Sequence, residues 1–225
     1  MIIDILTIFP EMFVSPLAES IVKRAIDEKK VEIKIHNLRD WATDNYKTVD
    51  DRPYGGGAGM IMKVDIIDRA VESLKRKTKS EKRKVILLDT KGEFYHQGKA
   101  REMAKLDHLI LIVPHYEGID HRVHQHITDE VICIGPYVLT GGELPAMVLT
   151  DSIVRLLPEV IKKESLKDES YDSFDPKVFD NIKKDQEYPQ YTRPAKYKGW
   201  KVPEVLLNGN HKEIEKWRKI LNSKS

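Results

Sequence analysis

Hydrophobic and polar positions alternate along the first 160 residues in a pattern that predicts strands separated by helices. Short runs rich in branched aliphatic residues indicate five strands, at residues 2–8, 31–35, 85–88, 109–113 and 131–134. Apolar residues at helical spacing indicate helices between the strands, one beginning at Ser15-Pro16 and another capped by Asp65, with a long apolar helix at 143–157. The alternation predicts an α/β fold, a parallel sheet with helices on both faces.

The loops after the predicted strands are candidate binding segments, because parallel sheets bind ligands at the carboxyl ends of their strands. Residues 114–120 follow the fourth strand, and residues 134–143 follow the fifth. Paired glycines at 141 and 142 allow the backbone to approach a ligand closely. Ordinary tight turns leading into helices would show the same spacing, so both interpretations stay open.

Another segment, residues 51–60, has glycine at four of the five positions from 55 to 59. Glycine content alone favours a flexible surface loop. No Gly-Lys-Ser or Gly-Lys-Thr follows, which argues against a nucleoside-triphosphate loop. Arg52 and Tyr54 in the same segment suit a phosphate contact and stacking on a base.

Composition limits the class of protein further. The chain has 225 residues, 40% of them hydrophobic, which is enough to bury a core, while its net charge of only +2 does not by itself indicate a nucleic-acid binder. The single cysteine, Cys133, excludes disulfides within the chain and fits a small buried residue in a strand. The N-terminus shows no basic leader, and no apolar run approaches the ~20 residues that span a bilayer. We therefore expect a cytoplasmic protein with no membrane contact.

The pattern changes near residue 160. Residues 161–190 contain six lysines and eight acidic residues without periodicity, which predicts a mobile linker. From Tyr191 onward nine Lys or Arg residues stand against three acidic ones, and a last helix after Gly209-Asn210 would bury Ile214, Trp217 and Leu221. We predict a domain over residues 1–160, a flexible linker over 161–176 and a small basic helical domain over 177–225.

Three kinds of polar residue have ambiguous roles. His121, His124 and His126 would suit a metal site, but the surrounding sequence offers no convergent carboxylate or cysteine pattern, so a solvated helix face is favoured. Arg155 is an isolated charge near the end of an apolar helix, where a structural ion pair is the more frequent role. Asp172, within the predicted linker, is one acidic residue among many.

Several of these segments together resemble the bacterial tRNA guanosine-37 N1-methyltransferase family of the SPOUT superfamily. The resemblance covers nearly the whole chain in order, at residues 8–13, 48–57, 116–120, 141–147, 172–174, 191–194 and 209–211. Its most specific parts are the long glycine motif that ends at Gly57 and the run Gly141-Gly142-Glu143-Leu144-Pro145.

The resemblance implies a deep trefoil knot in the α/β domain and an obligate homodimer whose active sites lie at the subunit interface. It implies S-adenosylmethionine as methyl donor and tRNA as substrate, and it suggests dependence on Mg²⁺, although no residue is predicted to hold a metal. By position, the donor-binding residues are Leu87, Leu88, Asp89, Thr90, Pro114, Tyr116, Glu117, Gly118, Ile134, Gly135, Pro136, Tyr137, Val138, Leu139, Gly141, Gly142 and Pro145. By position, the RNA-binding residues are Asp51, Arg52, Tyr54, Gly59, Arg193 and His211.

The resemblance also assigns catalytic roles. Asp172 matches the general base that would remove the N1 proton of guanine, and Arg155 matches the arginine that would stabilise charge on O6. The chain departs from the family pattern at Pro114-His115, where Gly-Arg is usual, and at Pro136, where Asp is usual. A proline has no N–H, so an amide contact at either position is lost.

Two alternatives stay open beside this hypothesis. One is a SPOUT methyltransferase that acts on a ribose 2′-hydroxyl, against which the Asp172 motif argues. The other is a non-catalytic RNA-binding relative, for which Pro114 is the best support. A dinucleotide oxidoreductase is disfavoured because no Gly-x-Gly-x-x-Gly turn follows the first strand.

Overall fold

The computed structural model describes residues 1–166, 170–171 and 188–222, and the chain divides into two compact units, Met1–Ile161 and Lys162–Ser225. The first unit contains a five-stranded sheet in the order β2-β1-β6-β5-β7, and every adjacent pair of its strands is parallel. A short antiparallel pair, β3-β4, lies outside this sheet. The strands of the first unit are β1 (Ile2–Thr7), β2 (Glu32–Asn37), β3 (Asp50–Asp51), β4 (Ile61–Met62), β5 (Arg83–Phe94), β6 (His108–Ile112) and β7 (Glu130–Cys133).

Helices cover both faces of the sheet. They are α1 (Val14–Leu17), α2 (Ser20–Asp27), α3 (Val64–Lys77), α4 (Gln97–Met103), α5 (His121–His126) and α6 (Glu143–Val154), with 3-10 turns at Pro10–Phe13 and Leu38–Trp41. Helices α2, α4 and α6 contribute to the hydrophobic core on one face, and α3 and α5 contribute to the core on the other. The predicted α/β fold with helices on both faces is thus confirmed.

The two cores follow from the alternation of side chains along each strand. Ile3 and Ile5 of β1 pack on the α6 face, whereas Leu6 of the same strand packs on the α3 face. Each of these side chains is fully buried, and burial of one such side chain stabilises the fold by about 1.5–3 kcal/mol.

Asp4 is a buried acidic residue in the middle of β1, 2% exposed, and it lies between two histidines on neighbouring strands. Its two carboxylate oxygens lie 2.6 Å from Nε2 of His36 in β2 and 2.6 Å from Nε2 of His108 in β6. Burial alone would raise the pKa of this carboxyl, but hydrogen bonds and charge interactions with the two histidines outweigh it and lower the pKa to about 2. The group therefore cross-links three strands in its ionised form.

Two predicted helix starts are wrong. The helix expected to begin at Ser15-Pro16 is a single turn that ends at Leu17, and the longer helix begins at Ser20, whose φ of 55° marks a break in the chain direction. Asp65 is not a cap, because the helix already begins at Val64, and its carboxylate instead accepts a hydrogen bond from Arg69 at 2.9 Å. An acidic residue in the first turn still interacts favourably with the helix dipole.

The second unit contains a small antiparallel hairpin and two described helices. They are β8 (Lys196–Tyr197), β9 (Trp200–Lys201), α7 (Glu204–Leu207) and α8 (His211–Asn222), preceded by a 3-10 turn at Lys163–Leu166. Half of the predicted linker 161–176, including Asp172, lies outside the described residues. Among the described residues, no helix combines the length and the apolar character needed to cross a lipid bilayer.

Candidate active site

A cleft of about 240 Å³ lies at the carboxyl ends of β6 and β7, beside the part of β5 that follows Leu88. Three segments form its walls, and we name them the β5 loop (residues 89–92), the β6 loop (residues 114–119) and the β7 loop (residues 134–142). The cleft is lined by Leu88, Asp89, Thr90, Lys91, Pro114, His115, Tyr116, Glu117, Gly118, Ile119, Ile132, Cys133, Ile134, Gly135, Tyr137, Val138, Leu139, Thr140, Gly141, Gly142 and Pro145.

The β5 loop is an excursion within a strand. Leu88 and Glu93 are both register partners of Ile132 in β7, so the four residues between them leave the ladder. The strand continues to Phe94, well beyond its predicted end at residue 88. A Cβ atom on Gly92 would lie 2.5 Å from the backbone of Val131 and Ile132, so only glycine fits where the excursion returns to the sheet.

The β6 loop packs against the glycine-rich segment, which forms a hairpin from β3 to β4; we name residues 50–62 the glycine hairpin. The N–H of Glu117 donates to the carbonyl oxygen of Met60 (3.1 Å), and the N–H of Met62 donates to that of Gly118 (3.0 Å). A Cβ atom on Gly59 would lie 2.3 Å from Cγ of Glu117. These contacts place the base of the glycine hairpin directly beside the cleft.

The β7 loop crosses the carboxyl end of the sheet. β7 is an edge strand next to β5, yet Glu143, immediately after the loop, accepts a hydrogen bond from Oγ1 of Thr7 at the end of β1 (3.2 Å). On the way, the N–H of Gly142 donates to the carbonyl oxygen of Pro114 (2.8 Å), and a Cβ on Gly142 would lie 2.7 Å from Cδ of Pro114. The β6 and β7 loops are therefore in van der Waals contact through glycine.

Glu143 is the buried acidic residue beneath the cleft, 2% exposed. One carboxylate oxygen accepts from Thr7, and the other lies 3.4 Å from Nδ1 of His115 in the β6 loop. The His115 ring makes edge-on contacts with Phe9 (4.7 Å between ring centroids) and Tyr116 (5.4 Å). His115 thus lies where the resemblance leads us to expect arginine, and it is held there by a buried carboxylate and two aromatic rings.

Comparison with known proteins identifies the family. A family model described as tRNA (Guanine-1)-methyltransferase TrmD matches residues 1–225. Proteins named tRNA (guanine-N(1)-)-methyltransferase align with 96% of this chain: one from Dictyoglomus turgidum at 51% identity over 83% of its own length, one from Bacillus pumilus at 50% over 85%, and one from Chloroflexus aggregans at 50% over 80%. The chain belongs to this family.

The residues that the family resemblance assigns to the donor lie together in one cleft, with two exceptions. Leu87 is fully buried in the α3-side core, and Pro136 does not line the cleft. The lining also includes six residues to which the resemblance gives no donor role, namely Lys91, His115, Ile119, Ile132, Cys133 and Thr140. All six lie within two residues of an assigned position, so extending each motif by a residue or two finds them.

The residues assigned to RNA lie in both units. Asp51, Arg52 and Tyr54 belong to the glycine hairpin, and the Tyr54 side chain is completely exposed. Arg193 and His211 belong to the second unit, where Arg193 precedes β8 and His211 begins α8. An exposed ring and an exposed guanidinium on a hairpin beside the cleft suit contact with a nucleotide, which stays a prediction.

Arg155 is half-buried and lies just after the last residue of α6. Since an α-helix rises 1.5 Å per residue, Arg155 is about 20 Å along the helix axis from Gly142 at the cleft. Arg155 and Gly142 therefore lie at opposite ends of α6. Asp172 lies outside the described residues, so both catalytic assignments stay predictions.

Among the described residues, no group of three or more His, Cys, Asp and Glu side chains converges as a metal site. His121 and His126 of α5 are exposed, as a solvated helix face predicts. That interpretation is wrong for His124, whose side chain is 8% exposed because it packs against the β5 loop. Cys133 is buried as predicted, and its Sγ lies 3.2 Å from the carbonyl oxygen of Gly135.

Proposed function

We propose that the chain transfers a methyl group from S-adenosylmethionine to N1 of guanosine 37 in tRNA. The observation that supports this most directly is the cleft itself, where the donor-assigned loops converge at the carboxyl edge of a parallel sheet. Membership in a tRNA (guanine-1)-methyltransferase family supports the reaction and the substrate class. The cell compartment we propose is the cytoplasm, where tRNA is modified.

The cleft has the chemistry that this donor requires. Leu88, Ile134, Leu139 and Pro145 offer apolar walls for an adenine ring. Backbone N–H and carbonyl groups of the glycine-lined loops are available for the polar parts of the donor. When bound, S-adenosylmethionine supplies an electrophilic methyl group on a sulfonium sulfur, so a covalent enzyme intermediate is not needed.

The protein's own task is to prepare guanine. N1 of guanine has a proton at neutral pH, and this proton must leave as the new bond forms. We assign its removal to the carboxylate of Asp172, a contribution of typically ~10²–10⁴-fold. Negative charge then accumulates on O6, where the Arg155 guanidinium would stabilise it.

We propose that Arg155 acts in the donor cleft of a second copy of the chain, because α6 separates it from Gly142 of its own cleft by about 20 Å along the helix axis. An exposed apolar surface supports such a dimer: Leu144 and Val148 on α6 are 53% and 45% exposed, and Val138 in the β7 loop is 87% exposed. We propose a homodimer with each active site at the subunit interface. The path of the β7 loop across β5 and β6 is consistent with the proposed trefoil knot.

We propose that tRNA contacts the glycine hairpin and a small basic C-terminal domain. The hairpin β8-β9 presents Lys196 and Lys201 as register partners, and the exposed Tyr197 and Trp200 rings lie 5.9 Å apart. Lysines beside exposed aromatic rings are a common combination in nucleic-acid binding surfaces. Affinity for tRNA should then fall as the salt concentration rises.

Methylation of unmodified tRNA transcripts tests the function. We expect S-adenosylmethionine and the wild-type chain to yield 1-methylguanosine, and a transcript with adenosine at position 37 to remain unmethylated. Nucleoside mass spectrometry identifies the methylated atom. A 2′-O-methyl product would favour the ribose alternative, and no donor binding by calorimetry would favour a non-catalytic relative.

Co-expression of two inactive chains tests the interfacial site. Gly142→Val closes the cleft of its own chain, and Arg155→Ala removes the arginine that we assign to the partner's cleft. In mixed dimers one of the two sites regains both intact parts, so co-expression should restore about a quarter of wild-type activity. A mixture as inactive as its separate components would rule out this arrangement.

A further inference from the structure

His124 differs from its neighbours on α5. His121 and His126 are exposed, whereas the His124 side chain is 8% exposed. Nδ1 of His124 is buried and has no hydrogen-bond partner among the described residues. The one hydrogen bond that the described structure gives to this ring comes from Nε2, so that bond fixes the ring orientation.

The partner of His124 is Asp89, the first residue of the β5 loop. Nε2 of His124 lies 3.0 Å from Oδ2 of Asp89, and it is the donor because a carboxylate only accepts. The other oxygen of Asp89 accepts from the backbone N–H of Lys91 at 2.9 Å. Asp89 therefore closes the turn of the β5 loop with one oxygen and joins that turn to α5 with the other.

The start of α5 is fixed to the opposite wall of the cleft. Asp120 caps the helix by accepting from the N–H of Arg122 at 2.9 Å. The N–H of Asp120 donates to the carbonyl oxygen of Met62 at 3.0 Å, and Asp120 directly follows the β6 loop. Helix α5 is thus continuous with the β6 loop at one end and bonded to the β5 loop through His124.

We propose that His124 is a positioning residue for the methyl donor, a proposal that rests on the proposed function. By bonding Asp89 it holds the β5 loop at a fixed separation from the β6 loop before the donor arrives. Binding then costs less conformational entropy, because the two walls are already ordered. His124 acts through Asp89, which lines the cleft, and it does not contact the reacting atoms.

Three variants measure this role in the full-length chain, with S-adenosylmethionine as the probe. His124→Leu removes the hydrogen bond at similar volume, and we expect the calorimetric Kd and the KM for the donor to rise about tenfold, as loss of a hydrogen bond to a charged group predicts. His124→Gln keeps an N–H donor and should restore the Kd to within about threefold. His126→Leu, on the exposed part of the same helix, is the matched control and should leave the Kd unchanged.

A split between KM and kcat distinguishes positioning from a general loss of structure. At saturating donor, His124→Leu should keep a kcat within about twofold of wild type, since the chemical step is untouched. Asp89→Ala removes the same bond together with a carboxylate that lines the cleft, so it should raise the Kd at least as much, and the double variant should be no worse than Asp89→Ala alone.

An unchanged Kd in His124→Leu, or independent effects that multiply in the double variant, would overturn the positioning role while leaving the proposed function intact. A loss of kcat without change in Kd would overturn it as well. Failure of the wild-type chain to bind S-adenosylmethionine would instead remove the proposed donor, and the role of His124 with it.

Discussion

The two units of the chain differ in how their residues are held. Every buried residue among those described lies at or before Val160, whereas residues 188–218 of the second unit are half-buried or exposed. The first unit encloses its cleft with loops that hydrogen bonds and close glycine contacts fix in place. The second unit has its described polar and aromatic side chains at the surface. A preformed pocket suits a small donor, and an open surface suits a large polyanion.

The charged residues also differ between the two units. In the first unit, acidic groups such as Asp4 and Glu143 are buried beside histidines. From Tyr191 onward, nine basic residues stand against three acidic ones. If the two units have these separate roles, a single substitution should change only one of four properties: the chemical step, donor binding, folding stability or tRNA binding.

Asp172→Asn should have the largest effect. An amide cannot accept the N1 proton, so the single-turnover rate should fall by about 10²–10⁴-fold, measured with saturating donor and tRNA. The Kd for S-adenosylmethionine should stay at its wild-type value, because we assign Asp172 to the guanine and the donor to the lining of the cleft. Normal turnover by this variant would show that another group is the base.

Gly142→Ala should have the second-largest effect, and this effect should be on donor binding. Its Cβ would lie 2.7 Å from Cδ of Pro114, so the β6 and β7 loops must separate. A displacement of about 1 Å can reduce kcat/KM by about 10²-fold, and we expect a loss of this size in kcat/KM for the donor.

Gly98→Ala in α4 is the matched control for Gly142→Ala. There the nearest atoms to an added Cβ are at 3.0 Å and belong to the His96 ring, a side chain that can turn away. We expect donor kinetics close to wild type in this variant. Equal losses in both alanine variants would mean that the contact of Gly142 with Pro114 has no special role.

Asp4→Asn should change folding and leave donor binding unaltered. The pKa of Asp4 falls from 3.8 to about 2 in the folded chain, because two histidine contacts outweigh its burial. This shift corresponds to about 2 kcal/mol of stability at neutral pH, which the amide would lose. Urea unfolding measures that difference, and calorimetry with the donor serves as the control.

The pH dependence of unfolding in wild type and Asp4→Asn tests the direction of this pKa shift. A lowered pKa stabilises the fold above pH 3.8, and the stabilisation disappears as the pH falls through about 2. The difference in unfolding free energy between wild type and Asp4→Asn should therefore shrink between pH 6 and pH 3. A difference that stays constant over this range would contradict the ionised cross-link.

Much of the fold could be predicted from sequence, since side-chain periodicity follows from burial. The five strands of the sheet lie within a few residues of their predicted positions, except that β5 runs to Phe94. That extension depends on contact between Gly92 and the backbone of β7, a tertiary contact without a local signal. The helix start predicted at Ser15-Pro16 is wrong, because capping residues fit a single helical turn as well as a long helix.

The position of two cleft loops could be predicted from the strands they follow, and the resemblance added the donor assignments, but the contacts that support the cleft could not be predicted. The bond between His124 and Asp89 joins residues 35 positions apart, and that between Asp4 and His108 joins residues 104 apart. From sequence alone, a histidine on a helix beside other histidines is predicted to be exposed to solvent. Only the packing of α5 on the β5 loop distinguishes His124 from His126.

Lys201→Ala should have the smallest effect, and it should be confined to tRNA. Lys201 is exposed in β9, and loss of one phosphate contact should weaken tRNA binding a few-fold and reduce the slope of log K against log salt by about 1. Lys79→Ala removes the same charge from an exposed loop of the first unit and is the control. Donor affinity should be normal in both variants. An equal decrease of the salt slope in Lys79→Ala and Lys201→Ala would contradict this prediction. It would mean that tRNA affinity depends on the net charge of the protein and not on the surface of the second unit.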